Sequence, residues 1–157
     1  MLAEAFKQLP FFHGLSPAHF ACLQKLFYLF EYSEGTHLFE QGDPAEFLYL
    51  VVEGEVVVNF KPDDGPVITV AHIHPGSIVG WSAALGSRKY TSGALCATST
   101  QLLRVRGVDL RKLCKQNSDL RPILLDRLAT VIAERLSKAH DQVVALLEQG
   151  LRNGVLV

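Results

Sequence analysis

The stretch PGSIVGWSAALGSRKYTSGA, residues 75–94, has the pattern of a short strand, a tight turn, a single turn of helix and a second strand. The apolar pair before Gly80 predicts the first strand, and the glycine itself predicts the turn. A helix beginning at Ser82 would present unpaired backbone N–H groups and the positive end of its dipole, which suit a phosphate or another anion. A turn of this kind therefore suits an anion.

Short apolar or alternating runs extend on both sides of this stretch and are separated by turn residues. The eight runs predicted as strands are residues 30–32, 36–39, 47–52, 55–60, 67–73, 77–79, 91–98 and 101–106. Strands of this number and spacing favour a small antiparallel barrel or jelly roll. The predicted fold class is therefore mainly β with helices, as an eight-stranded antiparallel jelly roll.

Helices are predicted at both ends of the β region. Residues 2–8 have a helical pattern that Pro10 ends, and Ser16 with Pro17 supplies an N-cap and a first helical residue for a second short helix. After the strands, residues 108–115 predict another short helix. Together these segments make residues 1–115 the predicted barrel domain with its N-terminal helices.

A long helix, capped by Ser118 or Asp119 and reaching about Gln149, is predicted in the remaining segment 116–157. Its apolar positions step by three or four residues, which is the spacing of a coiled-coil seam. The predicted dimer-interface residues are Leu125, Leu128, Ile132, Leu136, Ala139, Val143 and Leu146. A helix of about 45 Å exceeds what a small barrel can cover. We therefore expect a homodimer through this helix, the alternative being a helix folded back on its own barrel.

Gly42-Asp43 and the strand Tyr49-Leu-Val-Val-Glu-Gly54, together with residues 75–94, resemble the cyclic-nucleotide-binding domain family, which includes catabolite-activator-type bacterial transcription regulators. The resemblance covers the chain from about Leu9 through the final helix. In that family a glutamate follows the cassette glycine, and an arginine triplet opens the next strand. Trp81 and the triplet 90–92 stand in their places here.

These replacements change the chemistry that the resemblance implies. The family glutamate accepts hydrogen bonds from the ribose, and the arginine donates a pair of charge-assisted hydrogen bonds to the phosphate oxygens. Trp81 can do neither, although its flat ring can stack on a base or fill the pocket. Arg88 is either an anion contact from the loop or an ordinary solvated arginine. The predicted ligand-binding residues are Gly80, Trp81, Ser82, Ala83, Arg88, Tyr90, Thr91 and Ser92. Binding of cAMP or cGMP is predicted to be altered or lost.

Composition excludes several function classes. The 157 residues, 48% hydrophobic and 20% charged, suffice for one compact domain with an appended helix, and the net charge of −1 gives no bias toward nucleic acid or an anionic membrane. No apolar run approaches the roughly 20 residues that span a membrane. Three widely spaced cysteines, Cys22, Cys96 and Cys114, favour free thiols and a cytoplasmic location.

Enzymatic, metal-binding and DNA-binding roles find little support in the sequence. His72 and His74 share a strand face, but a third metal ligand is missing, and no nucleophile elbow or P-loop is present. We therefore expect no catalysis, metal or cofactor. In the regulators that this chain resembles, a helix-turn-helix domain follows the dimer helix. Only residues 151–157 remain here, so no direct nucleic-acid binding is expected from this chain.

The leading hypothesis from the sequence is a non-catalytic, homodimeric regulatory sensor. Its cassette would bind a small anionic, nucleotide-like or aromatic effector, and its C-terminal helix would repack in response. One alternative is a ligand-free interaction or dimerisation module that acts on a protein partner, with Trp81, Leu85 and Tyr90 filling the pocket. Another is a truncated DNA-binding transcription regulator. An open cavity beside the cassette would favour the sensor.

Overall fold

Eight strands flanked by helices form the part of the chain that the computed structural model describes, residues 2–63 and 65–152. The strands are β1 (Tyr28–Tyr32), β2 (His37–Phe39), β3 (Phe47–Glu53), β4 (Val56–Phe60), β5 (Ile68–Ile73), β6 (Ile78–Val79), β7 (Gly93–Cys96) and β8 (Thr100–Arg106). The helices are α1 (Leu2–Gln8), α2 (Pro17–Gln24), α3 (Ser82–Leu85), α4 (Gly107–Gln116) and α5 (Leu120–Arg152), with a 3₁₀ turn at Pro10–Phe12. Each helix begins within a few residues of its predicted start.

The strands form two antiparallel four-stranded sheets, in the orders β1-β8-β3-β6 and β2-β7-β4-β5. Leu50 of β3 pairs with Leu103 of β8 in one sheet, and Val58 of β4 pairs with Ala94 of β7 in the other. The predicted eight-stranded jelly roll is confirmed.

Strand β3 separates two apolar cores because successive side chains of a strand point to opposite faces. Tyr49 and Val51 belong to the core between the sheets, whereas Leu48 and Leu50 belong to the core beneath the helices. That second core includes a group of edge-to-face phenylalanines near the N-terminus, namely Phe6, Phe12, Phe20 and Phe27. The helices are therefore fixed to one face of the jelly roll by apolar packing.

Helix α2 begins as predicted from its capping residues. The Ser16 side-chain oxygen accepts a hydrogen bond from the backbone N–H of His19 at 3.1 Å, and Pro17 occupies the first helical position. The cap satisfies one of the free N–H groups at the start of the helix.

The first turns of α5 pack on the barrel of their own chain. Leu120, Leu124 and Leu128 recur every four residues and are buried in the core beneath the helices. Arg127, on an adjacent face, donates hydrogen bonds to the carbonyl oxygens of Pro10 (3.1 Å), Phe11 (2.7 Å) and His13. The beginning of α5 is thus tied to the N-terminal turn as well as to the sheet.

The predicted dimer residues fall into three groups. Leu128 is only 9% exposed because it contacts its own barrel, whereas Leu125 is 53% exposed and Ile132 is half-buried. The side chains of Leu136, Ala139, Val143 and Leu146 lie outside the described residues. Dimerisation through α5, and the division of the chain at residue 115, stay predictions.

Candidate functional site

The predicted turn joins β6 to α3 at Gly80. Its φ angle is +81°, a conformation that favours glycine, and a Cβ at this position would lie 2.9 Å from the carbonyl oxygen of Phe47. The chain then enters α3 at Ser82, as predicted. Gly80 is therefore required both by the backbone conformation and by the close approach of β3.

A cavity of about 690 Å³ opens beside this turn. It lies between β4 and β5 on one side, the cassette residues in the middle, and α5 with Pro10 on the other side. Six of the eight predicted ligand-binding residues line it, namely Gly80, Trp81, Ser82, Tyr90, Thr91 and Ser92. A volume of this size is typical of small-molecule sites.

The other two predicted ligand residues lie away from the cavity wall. Ala83 is fully buried, and its carbonyl oxygen accepts a hydrogen bond from the Arg111 guanidinium of α4. Arg88 is exposed in the loop before β7, where its carbonyl oxygen accepts a hydrogen bond from Ala45 N at 3.0 Å. The structure thus brings together six of these residues and places Ala83 and Arg88 elsewhere.

The sequence interpretation missed most of the cavity wall. The apolar wall residues that it did not identify are Pro10, Phe39, Val58, Phe60, Val70, Ala71, Ile73, Val79 and Val131. Alternation along β4 is a signal that could have identified Val58 and Phe60, which lie two residues apart on one strand. Val131 and Glu134 of α5 have no comparable local signal, because they reach the cavity only through the docking of α5 on the barrel.

Tyr90 occupies the first position of the triplet where the family arginine is expected, and its side chain is used within the fold. Its ring stacks on Phe39 with centroids 3.6 Å apart and planes 13° apart. Its hydroxyl donates to the carbonyl oxygen of Phe47 at 2.5 Å and accepts from the N–H of the same residue at 2.9 Å. Burial raises the pKa of Tyr90, so the hydroxyl keeps its proton at neutral pH. Tyr90 therefore supplies an aromatic wall, and its hydroxyl is already engaged by the main chain.

Trp81 occupies the position of the family glutamate, at the N-cap of α3. It is half-buried, packs against the core beneath the helices and lines the cavity. An indole in this position offers apolar surface and one N–H donor where a carboxylate would accept hydrogen bonds.

Besides Tyr90, the titratable groups on the described wall are two histidines and a glutamate. His72 Nδ1 lies 2.9 Å from Glu55 Oε1, and exposed His74 follows the end of β5 and also lines the cavity. Glu134 reaches the cavity from α5. Within residues 2–63 and 65–152, no cluster of three or more His, Cys, Asp or Glu side chains has the arrangement of a metal site. None of the helices described is both long and apolar enough to cross a bilayer.

Comparison with known proteins places this geometry in a family. Residues 29–117 match the model of the cyclic nucleotide-binding domain. The chain belongs to the cyclic nucleotide-binding domain family. The family resemblance inferred from the sequence is thereby confirmed.

A curated relative is the cyclic AMP receptor protein of Thermus thermophilus, which is 30% identical over 149 residues covering 95% of this chain and 67% of the relative. Other curated relatives are named as cAMP-activated global transcriptional regulators, and this chain spans 54% to 59% of their length. These relatives are named as receptors or regulators, and their names describe proteins that are longer than this chain.

Solved structures agree on the fold. A cyclic nucleotide-binding domain from Methylobacillus flagellatus superposes with a TM-score of 0.79 at 19% identity, covering 92% of this chain and 81% of that one. A cAMP-binding acyltransferase from Mycobacterium smegmatis gives a TM-score of 0.71 at 28% identity, covering 87% of this chain and 41% of the enzyme. The same domain type therefore also occurs within a longer chain that is an enzyme.

Proposed function

We propose that this chain is a non-catalytic regulatory domain in which a small molecule in the cassette cavity biases the packing of α5, with binding of cAMP and cGMP altered or lost. The observation that carries the proposal is that one cavity is walled by the cassette residues Gly80, Trp81 and Ser82 and by Val131 and Glu134 of α5. A ligand that contacts both elements can bind one arrangement of α5 better than another, which is the requirement for regulation.

The N-terminal turn connects the same two elements. Pro10 lines the cavity, and its carbonyl oxygen is one of the three that Arg127 binds. Val131 lies one helical turn after Arg127, so a change in cavity occupancy reaches the anchored part of α5 directly. Contacts made by one ligand with Pro10 and Val131 would therefore act on a single connected unit.

Altered cyclic-nucleotide binding is supported by the chemistry of the replaced residues. A cyclic phosphate is recognised by charge-assisted hydrogen bonds, which an arginine supplies in pairs. At the corresponding positions, the Tyr90 hydroxyl is engaged by Phe47, and Thr91 and Ser92 are neutral. Trp81 cannot accept the hydrogen bonds of a ribose hydroxyl.

The open cavity favours the sensor over the ligand-free interaction module. In that module Trp81, Leu85 and Tyr90 would fill the pocket, whereas Leu85 is 62% exposed and is absent from the cavity wall. Exposed Leu125, Val144 and Leu147 on α5 support a homodimer or a protein partner as the receiver of the signal. We place this function in the cytoplasm, as the free cysteines favour.

Two measurements test the proposal. Small molecules released by denaturing natively purified protein are compared by mass spectrometry between the wild type and Thr91→Trp, which fills the cavity from an exposed wall position. Gln116→Trp, exposed at the end of α4, is the matched control. We expect a compound that Thr91→Trp lacks, and altered hydrogen exchange of residues 127–134 in Thr91→Trp alone. Identical compounds and identical exchange in all three proteins would favour the ligand-free module instead.

Calorimetric titration tests the altered specificity separately. Protein freed of bound compounds by reversible denaturation is titrated with cAMP and with cGMP. We expect no binding at micromolar concentrations of either nucleotide. A micromolar dissociation constant for either one would contradict the roles assigned to Trp81 and Tyr90. It would not bear on whether the cavity regulates α5, which the first experiment measures.

A further inference from the structure

Aromatic side chains surround much of the cavity. The stacked pair Phe39 and Tyr90 belongs to its wall, as do half-buried Trp81 and Phe60, which is 40% exposed. Aromatic rings pack well against the flat surface of another ring, and their faces attract cations. The wall therefore suits a ligand with a planar apolar body.

One carboxylate, that of Glu134, lies on the described wall of the cavity. Among the described lining residues, Glu134 is the only Asp, Glu, Lys or Arg. His72 Nδ1 lies 2.9 Å from the Glu55 carboxylate, and His74 and Glu134 are both exposed to solvent. An anion that entered this cavity would meet the Glu134 carboxylate, whereas a cation would be attracted to it.

Three main-chain donors that follow the cassette turn are used within the cassette itself. The N–H of Ala83 donates to the carbonyl oxygen of Gly80 at 3.1 Å, and the N–H of Leu85 donates to that of Trp81 at 3.1 Å. The N–H of Ser87 donates in turn to Ser82 O at 3.0 Å. Burying a phosphate needs hydrogen bonds and opposite charge to offset its desolvation. These three amides are not available to a phosphate, and the Glu134 carboxylate on the wall would repel it.

We infer that the cavity selects a cationic aromatic compound, whose ring packs against the Trp81, Phe39 and Tyr90 wall and whose cation is recognised by the Glu134 carboxylate of α5. This inference rests on the proposed function, because it assigns a chemical class to the ligand of the same cavity. The ligand would then contact α5 directly, because Glu134 lies on the helix whose packing is regulated.

A matched charge series tests the selection. The probes 2-phenylethylammonium, 2-phenylethanol and 3-phenylpropionate share one ring and spacer and carry positive, zero and negative charge. Trp81 is the only tryptophan in the chain, so its fluorescence reports binding, and calorimetry confirms the affinities. We expect the ammonium compound to bind up to about fivefold more tightly than the alcohol, the size of effect that partly exposed ion pairs give. The carboxylate should bind most weakly.

Three variants separate the carboxylate from other causes. Glu134→Gln should make the ammonium compound and the alcohol bind equally, and Glu134→Lys should make 3-phenylpropionate the tightest of the three. Glu148→Gln, an exposed glutamate on the same helix away from the cavity wall, should leave the order unchanged. High salt should compress the differences in the wild type.

The outcomes distinguish this inference from the proposed function. Tightest binding of 3-phenylpropionate to the wild type, an unchanged order in Glu134→Gln, or no binding of any probe would each overturn the inferred ligand class. A bound anion recovered from native protein would also overturn it. If Thr91→Trp lost that anion and showed altered hydrogen exchange of residues 127–134, the proposed regulation of α5 would still stand.

Discussion

The Tyr90 hydroxyl is bonded to both main-chain polar groups of Phe47, donating to the carbonyl oxygen at 2.5 Å and accepting from the N–H at 2.9 Å. One side chain therefore holds the segment after the cassette loop against the start of β3. The same ring forms part of the cavity wall, so the stability of the fold and the shape of the site depend on one residue.

Replacing Tyr90 by phenylalanine removes both hydrogen bonds and keeps the stacked ring. The part-buried main-chain groups of Phe47 lose this partner, so we expect the free energy of unfolding to fall by about 1–3 kcal/mol. Urea denaturation measures the change, and Tyr28→Phe, at a tyrosine that is 65% exposed, is the matched control. Equal midpoints for Tyr90→Phe and the wild type would show that these bonds contribute little.

Placing an acidic side chain at Trp81 and an arginine at Thr91, next to the expected arginine position, should create cyclic-nucleotide binding. Thr91 is chosen because it is exposed at the cavity wall, whereas Tyr90 is buried and bonded. The double variant Trp81→Glu with Thr91→Arg is expected to bind cAMP at least about tenfold more tightly than the wild type, since hydrogen bonds to charged groups contribute about 1.5–3 kcal/mol. Calorimetry of the single and double variants measures the gain. Ser118→Arg adds the same charge in an exposed loop, and an equal gain there would point to non-specific attraction.

Replacing Arg127 by methionine should loosen α5 from the N-terminal turn. The guanidinium bonds three carbonyl oxygens, of Pro10, Phe11 and His13, and an ammonium group cannot reproduce that fork. We expect faster hydrogen exchange in the first turns of α5 and a loss of about 1–3 kcal/mol in unfolding free energy for Arg127→Met. Arg127→Lys should recover only part of the loss. Exposed Arg121→Met is the control, and equal effects of the two methionine variants would refute the special role of Arg127.

The pair His19 and Asp119 makes stability depend on pH at the junction of α2 and α5. His19 Nε2 lies 3.0 Å from Asp119 Oδ2, and this hydrogen bond lowers the pKa of Asp119 below its usual 3.8. Because the folded-state pKa is depressed, the stabilisation is complete above the unfolded value and is lost as the pH falls through the folded value.

Asp119→Asn should therefore be less stable than the wild type near pH 5 and should approach it in more acidic solution. Urea midpoints measured at several pH values below about 6 give the comparison. Asp126→Asn, an exposed aspartate on α5, should show no such convergence. A stability difference for Asp119→Asn that stays constant across this range would rule out ionisation of the carboxylate as its source.

The sequence predicted the features that depend on neighbouring residues. Alternation and turn residues located all eight strands, Ser16 and Pro17 located the start of α2, and Gly80 located the cassette turn, because each signal lies within a few residues of the structure that it specifies. Dimerisation through α5 was argued from its spacing, and among its described positions Leu128 packs on its own barrel.

Features that depend on tertiary contact were not predictable in the same way. The sequence left Arg88 open between an anion contact and an ordinary solvated arginine, whereas in the structure the loop pairs Lys89 with Pro44 and the arginine is exposed outside the cavity wall. The stack of Tyr90 on Phe39 joins residues far apart in the chain. The contribution of Val131 and Glu134 to the site required the docking of α5 on the barrel, which no local pattern specifies.

The position of the cavity along α5 also determines how far a local adjustment can be amplified. Val131 and Glu134 come just after the turns that pack on the barrel, and the helix continues to Arg152. At 1.5 Å per residue, the stretch beyond Val131 is about 30 Å long, so a tilt of about 5° at its base would move its tip by about 3 Å. A small tilt of α5 at the cavity would thus become a much larger movement at its C-terminal end, where a second molecule could contact it.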